Sequence, residues 1–383
     1  MTHTAASGAR SGIQSVARGL ARDDGWVPVA WSRRKGHFHS LPTEWRKRFD
    51  GGTASKWLPA KVLRRPEVWI AALTASGRNY RMPLDLHPDF AGRLRGRWLV
   101  FPELFEAHVF RAMADWGRKR GMLTAVIFHD AIPVLRPDLT ERTAEVHAEY
   151  QRALAEADIV LPVSEFSACC LRDFWEKENI KPARMIVCSL PAENRGVARC
   201  RTIKAQKENP ARILCVSTLE PRKNHTLLIE ALRRVAEPCV LELLGMSVER
   251  HADIEHLVRE ASAADSRIEW RGPLSGNELR DAYERCDFTV YASYLEGFGL
   301  PVLESLWHAR PCICHREGVM TENAADGGCL TTDVLDADAL AGAIRSLIND
   351  DVLRLKLANE AVARPLRDWA NYAQGVNDAL LVP

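Results

Sequence analysis

The chain has 383 residues, of which 46% are hydrophobic and 27% are charged, so it has the composition of a soluble globular protein and enough length for two domains. No apolar run approaches the ~20 residues of a membrane span, and the first residues lack the apolar stretch of a signal peptide. The formal net charge is +2, but residues 1–120 hold 22 Lys and Arg against 10 Asp and Glu, while the remainder holds 30 against 40.

The first half of the chain predicts alternating strands and helices. A continuous apolar run at 125–128 is typical of a parallel sheet that is buried on both faces. We interpret the irregular stretch 37–66 as an insertion. The predicted strands are 26–31, 97–101, 123–128, 158–163 and 185–189, and the predicted helices are 14–22, 103–119, 140–157 and 167–177.

The alternation lapses over residues 191–210, where a polar and aperiodic sequence predicts a linker. The expected domains are therefore 1–190 and 211–365, with a final amphipathic helix within 366–383. Two βα domains would bind a ligand at the carboxyl ends of their strands, in a cleft. In the second series the predicted strands are 212–217, 240–244, 267–270, 288–291 and 311–314, and the predicted helices are 226–235, 251–263, 276–285, 302–308, 336–348 and 351–363.

All ten cysteines lie between Cys169 and Cys329, with no Cys-x-x-Cys pair and no histidine at metal spacing. This pattern predicts reduced and mostly buried thiols in a cytoplasmic protein, and no zinc site. The basic clusters at 33–35, 46–48 and 118–120 can attract an anionic membrane surface, or they can form a solvated face. We do not expect nucleic acid as a partner, because no recognition module is visible.

Residues 293–304, Ser-Tyr-Leu-Glu-Gly-Phe-Gly-Leu-Pro-Val-Leu-Glu, predict a glycine loop between a strand and a helix. Pro301 suits the first helical turn, where its missing N–H costs nothing. The loop amides and the positive end of the helix dipole would bind an anion. We place Glu296 on the loop and Glu304 on the first helical turn, where a carboxylate also stabilises any helix.

A second candidate site follows the strand 212–217, where Arg222 and Lys223 precede the expected helix-capping residue Asn224. Two cations before a helix N-terminus oppose its dipole, so they favour a bound phosphate over a solvent-facing basic turn. A third candidate is His129 with Asp130, at the end of the strand 123–128. Its position at the ligand-binding edge of such a sheet favours function over a purely structural role.

Together, residues 216–224, residues 293–304 and the pair His129–Asp130 resemble the motifs of retaining nucleotide-sugar glycosyltransferases of family four. Further matches are 11–14, 161–167 and 272–279, so the resemblance spans residues 8–380. It implies the GT-B fold, in which two Rossmann-like βαβ domains face each other across a cleft and the last helix packs back on the first domain through Trp369. Such chains begin with a buried strand before the first glycine loop. Here residues 1–6 are not apolar, so we expect either a start further upstream or a sheet that lacks this strand.

The resemblance assigns most of the donor site to the second domain. Lys223, assisted by Arg222, would hold the donor diphosphate, and Glu304 would bind the ribose hydroxyls. Thr218 stands where the family often has a further cation. Backbone contacts to the donor sugar and phosphate would come from Phe298, Gly299 and Leu300.

The resemblance assigns catalytic roles to Glu296, which would bind sugar hydroxyls near the reacting carbon, and to His129, which would approach the sugar from the other domain. Gly12 would let the chain pass close to the diphosphate. In this family's reaction the leaving diphosphate is thought to accept the acceptor's proton, so Glu296 would position and stabilise charge. No Asp-x-Asp signature stands at a strand end of the second domain, and we expect neither a metal nor another cofactor.

The implied activity is transfer of a hexose, mannose by preference, from a nucleotide diphosphate sugar to a saccharide or lipid-linked acceptor in surface polysaccharide biosynthesis. The enzyme would be cytoplasmic, or peripheral on the inner face of the membrane. One alternative is another GT-B enzyme such as a nucleotide-sugar epimerase, which would need further acid and base carboxylates. The other is an inactive homologue that binds the nucleotide sugar.

Overall fold

A computed structural model describes residues 12–22, 29–32, 37–40, 96–140, 143–194, 197–274 and 276–382. The chain forms two compact units, one of Met1–Val163, Ser167–Ser189 and Trp369–Pro383, the other of Ser164–Phe166 and Leu190–Asp368. The segment expected to be a linker packs within the second unit. There the backbone N–H of Cys200 donates to the oxygen of Trp307 (3.1 Å), and the guanidinium of Arg354 donates to the oxygen of Lys204 (2.9 Å).

The first unit contains a parallel sheet in the order β3-β4-β5-β6. Helices pack against it, and the side chains of Ala125–Phe128 are all buried, as the apolar run predicts. The helices of this unit are α1 Gly12–Arg22, α2 Ala107–Arg118, α3 Ile132–Leu135, α4 Ala144–Leu154, α5 Glu165–Lys177 and α13 Trp369–Leu381. Its strands are β1 Val29–Ser32, β2 His37–Ser40, β3 Trp98–Phe101, β4 Leu123–Phe128, β5 Ile159–Pro162 and β6 Arg184–Met185.

The strand expected at 26–31 does not join this sheet. β1 instead pairs antiparallel with β2, so the start of the stretch interpreted as an insertion is a strand. The ring of Phe38 on β2 packs edge-to-face on Trp116, with centroids 5.2 Å apart. An apolar run predicts an extended segment but does not specify its partner, and here a nearby strand provides it. Residues 1–11 and 41–95, including the expected site of a first strand, lie outside the described residues.

The last helix, α13, belongs to the first unit and packs against α1. A Cβ at Gly19 would lie 2.1 Å from the ring of Trp369, so the two helices approach this closely only because residue 19 is glycine. Trp369 is 8% exposed. The aromatic side chain therefore joins the end of the chain to its first described helix.

The second unit is a six-stranded parallel sheet with helices, in the order β12-β11-β10-β7-β8-β9. Its apolar core includes Ile213, Leu241, Phe288 and Ile313, each at most 2% exposed. The strands are β7 Ala211–Val216, β8 Cys239–Leu244, β9 Ile268–Trp270, β10 Phe288–Tyr291, β11 Cys312–His315 and β12 Cys329–Thr332. The helices are α6 His225–Arg233, α7 Ala252–Ala264, α8 Gly276–Arg285, α9 Leu300–Trp307, α10 Val319–Ala324, α11 Ala337–Asn349 and α12 Asp351–Ala363.

The chain changes direction across this sheet between two neighbouring strands. From β7 it proceeds to β8 and β9 on one side, and it then returns to β10, β11 and β12 on the other. Phe288 of β10 pairs with Ile213 of β7, so these two strands flank the reversal. In open α/β sheets this is the point where the loops at the carboxyl ends diverge and leave room for a ligand.

Two short elements of this unit, α10 and β12, are absent from the sequence prediction. α10 has six residues, and β12 is a four-residue edge strand without a fully buried side chain. Such elements carry too little periodicity to be recognised, and packing on the sheet stabilises them. Within the described ranges, no helix is both long and apolar enough to cross a membrane.

Candidate active site

The two motif-bearing loops of the second unit follow β7 and β10, the strands that flank the reversal. After β7 the chain forms a 3-10 turn over Pro221–Lys223 and enters α6. Asn224 precedes this helix in a left-handed conformation (φ 57°), and its amide donates to the oxygen of Val334 (2.7 Å), with no side-chain cap. Asn224 therefore takes the predicted N-cap position of α6, but its side chain makes no capping hydrogen bond.

Glu296 is the centre of a buried polar cluster. Its Oε2 is 2.5 Å from Nη1 of Arg222, and its Oε1 pairs with Nζ of Lys223. The same Oε1 accepts hydrogen bonds from the hydroxyls of Tyr291 (2.7 Å) and Ser293 (2.6 Å). Glu296 and Lys223 are each 8% exposed, so the alternative of a solvent-facing basic turn is excluded.

The charges of this cluster stabilise one another. Burial by itself raises the pKa of Glu296, but Arg222 and Lys223 more than offset it and lower the pKa to about 2. Burial disfavours the charge on Arg222, yet the carboxylates of Glu296 and Glu220 raise its pKa overall. Burial and the Arg222 charge lower the pKa of Lys223. Two cations that would be unfavourable near a helix N-terminus are thus accommodated by carboxylates of the same unit.

Glu220 extends the cluster on the other side of Arg222. Its Oε2 is 3.2 Å from Nη2 of Arg222, and its Oε1 accepts a hydrogen bond from the hydroxyl of Thr218 (2.9 Å). Thr218, where the resemblance expects a further cation, therefore contacts the cluster only through a carboxylate. The next histidine along the chain, His225, is buried, and burial together with Lys223 lowers its pKa to about 4.

The glycine loop ends at Gly299, which has a positive φ of 83° immediately before α9. A Cβ there would lie 2.9 Å from the terminal methyl of the flexible Met320 side chain, so it is the positive φ that requires glycine. The oxygen of Phe298 accepts a hydrogen bond from the amide of Asn323 on α10. Leu300 begins α9 and Pro301 falls in its first turn, as the sequence predicts.

Glu304 lies on the second turn of α9, not on the first as expected, because the helix already begins at Leu300. Its Oε2 accepts a hydrogen bond from the hydroxyl of Tyr283 (3.3 Å) on α8. The ring of Tyr283 stacks on His308, with centroids 4.6 Å apart and planes 5° apart. The helix dipole stabilises carboxylates mainly within the first turn, so it does not explain a glutamate on the second turn.

His129 follows β4 in the first unit and is 5% exposed. Its Nε2 donates to the oxygen of Pro102 (2.8 Å), because a carbonyl can only accept, so Nε2 carries a proton. Burial lowers its pKa. Gly12 is the first residue of α1. The roles of His129 and Gly12 toward a donor sugar stay predictions.

The structure thus brings Arg222, Lys223 and Glu296 into direct contact. Thr218 does not touch these three side chains but hydrogen-bonds Glu220, which contacts Arg222. Sequence reasoning assigned no role to four residues that contact the predicted site residues. Glu220 and Tyr291 contact the cluster, Tyr283 contacts Glu304, and Asn323 contacts Phe298. Only Glu220, a charge inside the motif, gave a signal in the sequence. Across the described residues, no group of three or more His, Cys, Asp or Glu side chains is placed to hold a metal ion.

The other predicted features are placed as follows. All ten cysteines are free thiols, and six of them are buried, as expected; only Cys169 is exposed. In the described basic cluster, Arg118 donates to the oxygen of Glu156 (2.6 Å), Lys119 pairs with Asp115 (2.7 Å) and Arg120 lies 4.0 Å from the ring centroid of Trp116. The clusters at 33–35 and 46–48 lie outside the described residues.

Solved structures establish the fold as GT-B. Anabaena Alr3699/HepE, solved with UDP and glucose, aligns over 98% of this chain and 97% of its own, with a TM-score of 0.65 and 14% identity. The sucrose-phosphate synthase of Thermosynechococcus elongatus aligns over 96% and 91%, with a TM-score of 0.62 and 17% identity. At these identities the likeness concerns the fold alone.

Sequence comparison relates part of the chain to a known family. Residues 199–364 match the family model of glycosyl transferases group 1. The O-antigen chain mannosyltransferase B of Escherichia coli is 28% identical over 238 residues, 59% of this chain and 61% of that protein. An N-acetylgalactosaminyltransferase of Campylobacter jejuni, named for a diphospho-undecaprenol substrate, is 27% identical over 215 residues, 55% and 56% of the two chains. The matched part thus spans about three fifths of the length of these relatives.

Proposed function

We propose that the protein is a retaining glycosyltransferase that moves a hexose from a nucleoside diphosphate sugar to a saccharide or lipid-linked acceptor in surface polysaccharide biosynthesis. The observation that carries this proposal is the buried cluster of Arg222, Lys223 and Glu296 at the reversal point of the second sheet. Mannose is the favoured hexose, because one relative is named as a mannosyltransferase. The name of the Campylobacter relative supports a lipid-linked diphosphate acceptor.

The cluster suits the chemistry of this reaction. When the bond between the sugar and the diphosphate breaks, negative charge develops on the leaving group, and cations fixed in advance stabilise it more than mobile ones. The forked guanidinium of Arg222 can bind two phosphate oxygens, and the ammonium of Lys223 adds a compact charge. Glu296 holds both cations in place and would meet hydroxyls of the transferred sugar. Glu304 would bind the ribose hydroxyls.

Nucleotide-sugar turnover tests the proposal directly. The purified chain is incubated with a panel that includes GDP-mannose, UDP-glucose and UDP-N-acetylgalactosamine, and release of the nucleoside diphosphate is measured with and without saccharide acceptors. The proposal predicts turnover of at least one donor, with the anomeric configuration retained in the product. Donor binding without any turnover would favour the inactive homologue, and no binding at all would refute the placement of the donor site.

Two substitutions separate the parts of the donor. Lys223→Ala should weaken binding of every nucleoside diphosphate on the order of 10- to 100-fold, because it removes a buried charge from the diphosphate site. Glu304→Ala should weaken binding of the nucleoside monophosphate as well, because it removes a contact to the ribose. Both are measured by calorimetry, with thermal unfolding as a check on folding.

The exposed Lys356→Ala is the matched control for Lys223→Ala, and it should leave all affinities unchanged. Equal affinity of the Lys223→Ala variant and the unsubstituted protein would show that the diphosphate lies elsewhere. Loss of diphosphate binding but not of monophosphate binding in the Glu304→Ala variant would contradict the ribose assignment.

A further inference from the structure

The two cations of the site are already matched by two carboxylates. Arg222 and Lys223 carry the positive charges, and Glu220 and Glu296 carry the negative ones, so the four side chains sum to no net formal charge. The terminal nitrogens of Arg222 are divided between the two carboxylates, Nη1 with Glu296 and Nη2 with Glu220. A diphosphate that binds the terminal nitrogens of Arg222 therefore competes with carboxylates that already contact both of them.

The two carboxylates are held very unequally. Glu296 has four partners, Arg222, Lys223, Tyr291 and Ser293, and its side chain is 10% exposed. Glu220 is bound by Nη2 of Arg222 at 3.2 Å and by the hydroxyl of Thr218 at 2.9 Å, and its side chain is 18% exposed. The contact that yields at the lower cost is thus the one between Glu220 and Arg222.

The backbone on both sides of Glu220 is fixed, so only its side chain needs to move. Leu219 forms an isolated parallel bridge with Ser247, and Pro221 opens the 3-10 turn that carries Arg222 and Lys223. Glu220 itself has an extended conformation (φ −135°, ψ 150°). A rotation of the glutamate side chain would release Nη2 while the cations keep their places.

We propose that Glu220 competes with the nucleoside diphosphate for Arg222 and thereby sets the affinity of the site for its donor and its release of the product. This inference rests on the proposed function, because it takes the diphosphate to bind at Arg222 and Lys223. Such a competitor limits how tightly the diphosphate product is retained after transfer, since Glu220 reoccupies the guanidinium as the product leaves.

The test is the isosteric Glu220→Gln variant, which keeps the acceptor for Thr218 but removes the charge opposite Arg222. Affinities for UDP, GDP and ADP are measured by calorimetry at one fixed ionic strength. The expected result is about three- to tenfold tighter binding of the diphosphate that the unsubstituted protein prefers, because one partly exposed ion pair no longer competes. The control is Glu230→Gln on α6. It removes the same charge from an exposed ion pair with Arg234 and should leave the affinity unchanged.

A double-mutant cycle distinguishes this competition from a general electrostatic effect. In an Arg222→Gln background the gain from Glu220→Gln should vanish, because the competition acts through the guanidinium. Weaker or unchanged binding by Glu220→Gln would overturn the inference and identify Glu220 as a residue that positions Arg222. A gain that persists without Arg222 would overturn it as well.

The two proposals fail in different ways. If the unsubstituted protein binds a nucleoside diphosphate but Glu220→Gln does not tighten it, only the inference falls. If neither the unsubstituted protein nor the variant binds any of the three diphosphates, the proposed function falls with it.

Discussion

At the scale of single residues, Glu296 shows why a buried charge must be considered with its partners. A carboxylate in this position would be costly alone, yet two cations and two hydroxyls leave its pKa at about 2. Glu296 in turn stabilises the charges of Arg222 and Lys223, because removing one member of a buried ion pair leaves an uncompensated charge. The contacts of Glu296 therefore order the two cations without a ligand.

This dependence predicts that Glu296→Gln destabilises the protein by about 3 kcal/mol near neutral pH. The pKa of Glu296 falls from an ordinary 4.5 to about 2 on folding, so its stabilisation is complete above pH 4.5 and is lost as the pH falls through 2. The difference in stability between the two proteins should thus shrink by about 1.4 kcal/mol per pH unit as the pH falls from 4.5 to about 2. Thermal unfolding at pH 7, 4 and 3 measures it.

The exposed Glu269→Gln on β9 controls for the loss of a carboxylate and should leave the unfolding temperature unchanged at pH 7. If the stability difference between Glu296→Gln and the unsubstituted protein stayed constant from pH 7 to pH 3, the carboxylate would contribute no stabilising ion pair. If the variant were more stable at neutral pH, the cluster would not stabilise the protein at all.

At the scale of elements, the connection between α9 and β11 is strained and strongly anchored. Ala309 has a left-handed φ of 54°, which costs a residue with a Cβ about 1 kcal/mol relative to glycine. The next residue, Arg310, is 4% exposed and donates to the oxygens of Tyr283 and Glu284 at the end of α8 (both 2.9 Å). The buried guanidinium thus occupies carbonyls that the helix leaves without partners. It also fixes the element that carries Tyr283, the partner of Glu304.

We therefore expect Ala309→Gly to stabilise the protein by up to about 0.5 kcal/mol, because the relief of left-handed strain exceeds the added freedom of the unfolded chain. Chemical denaturation followed by fluorescence gives the change. The same substitution at Ala263, exposed in α7, is the matched control and should destabilise by about 1 kcal/mol. A loss of stability at position 309 would show that the methyl group contributes more through packing than it costs through strain.

At the scale of the whole molecule, charge is distributed unevenly along the chain. Residues 1–120 carry a net charge of +12, from 22 basic and 10 acidic residues, although the whole chain carries only +2. In the described cluster 118–120, contacts with Trp116, Asp115 and Glu156 already occupy the basic side chains. A surface that attracts an anionic membrane would therefore draw on the clusters 33–35 and 46–48.

We propose that this charge gives peripheral binding to anionic lipid. Cosedimentation with vesicles of phosphatidylglycerol should fall steeply between 50 mM and 500 mM salt, because the attraction is screened within a Debye length. Vesicles of phosphatidylcholine serve as the control and should not bind. The combined variant Arg33→Gln, Arg34→Gln and Lys35→Gln should bind less than the unsubstituted protein at 50 mM salt. Binding that is independent of salt would contradict the electrostatic account.

Much of the second unit could be predicted from its sequence. The predicted bounds of β10, α8 and α12 match the observed ones, and Pro301 indicated the first turn of α9. Differences arose where a short-range rule competed with packing. Asn224 takes the predicted cap position, yet its amide is drawn to Val334, more than a hundred residues away. The short α10 and β12 have no local signal and form because the sheet provides a surface for them.

The sequence by itself determined the two βα units, the family motifs and the residue types suited to a phosphate, because periodicity, turn chemistry and motif spacing are local properties. Only the tertiary structure decided which charges meet. Arg222 and Glu296 are separated by 74 positions, and they touch because β7 and β10 are neighbours in a sheet whose strand order does not follow the chain. The same arrangement placed Glu220 and Tyr291 in the cluster. Contacts of this kind depend on the order of the strands, which the spacing of residues along the chain does not specify.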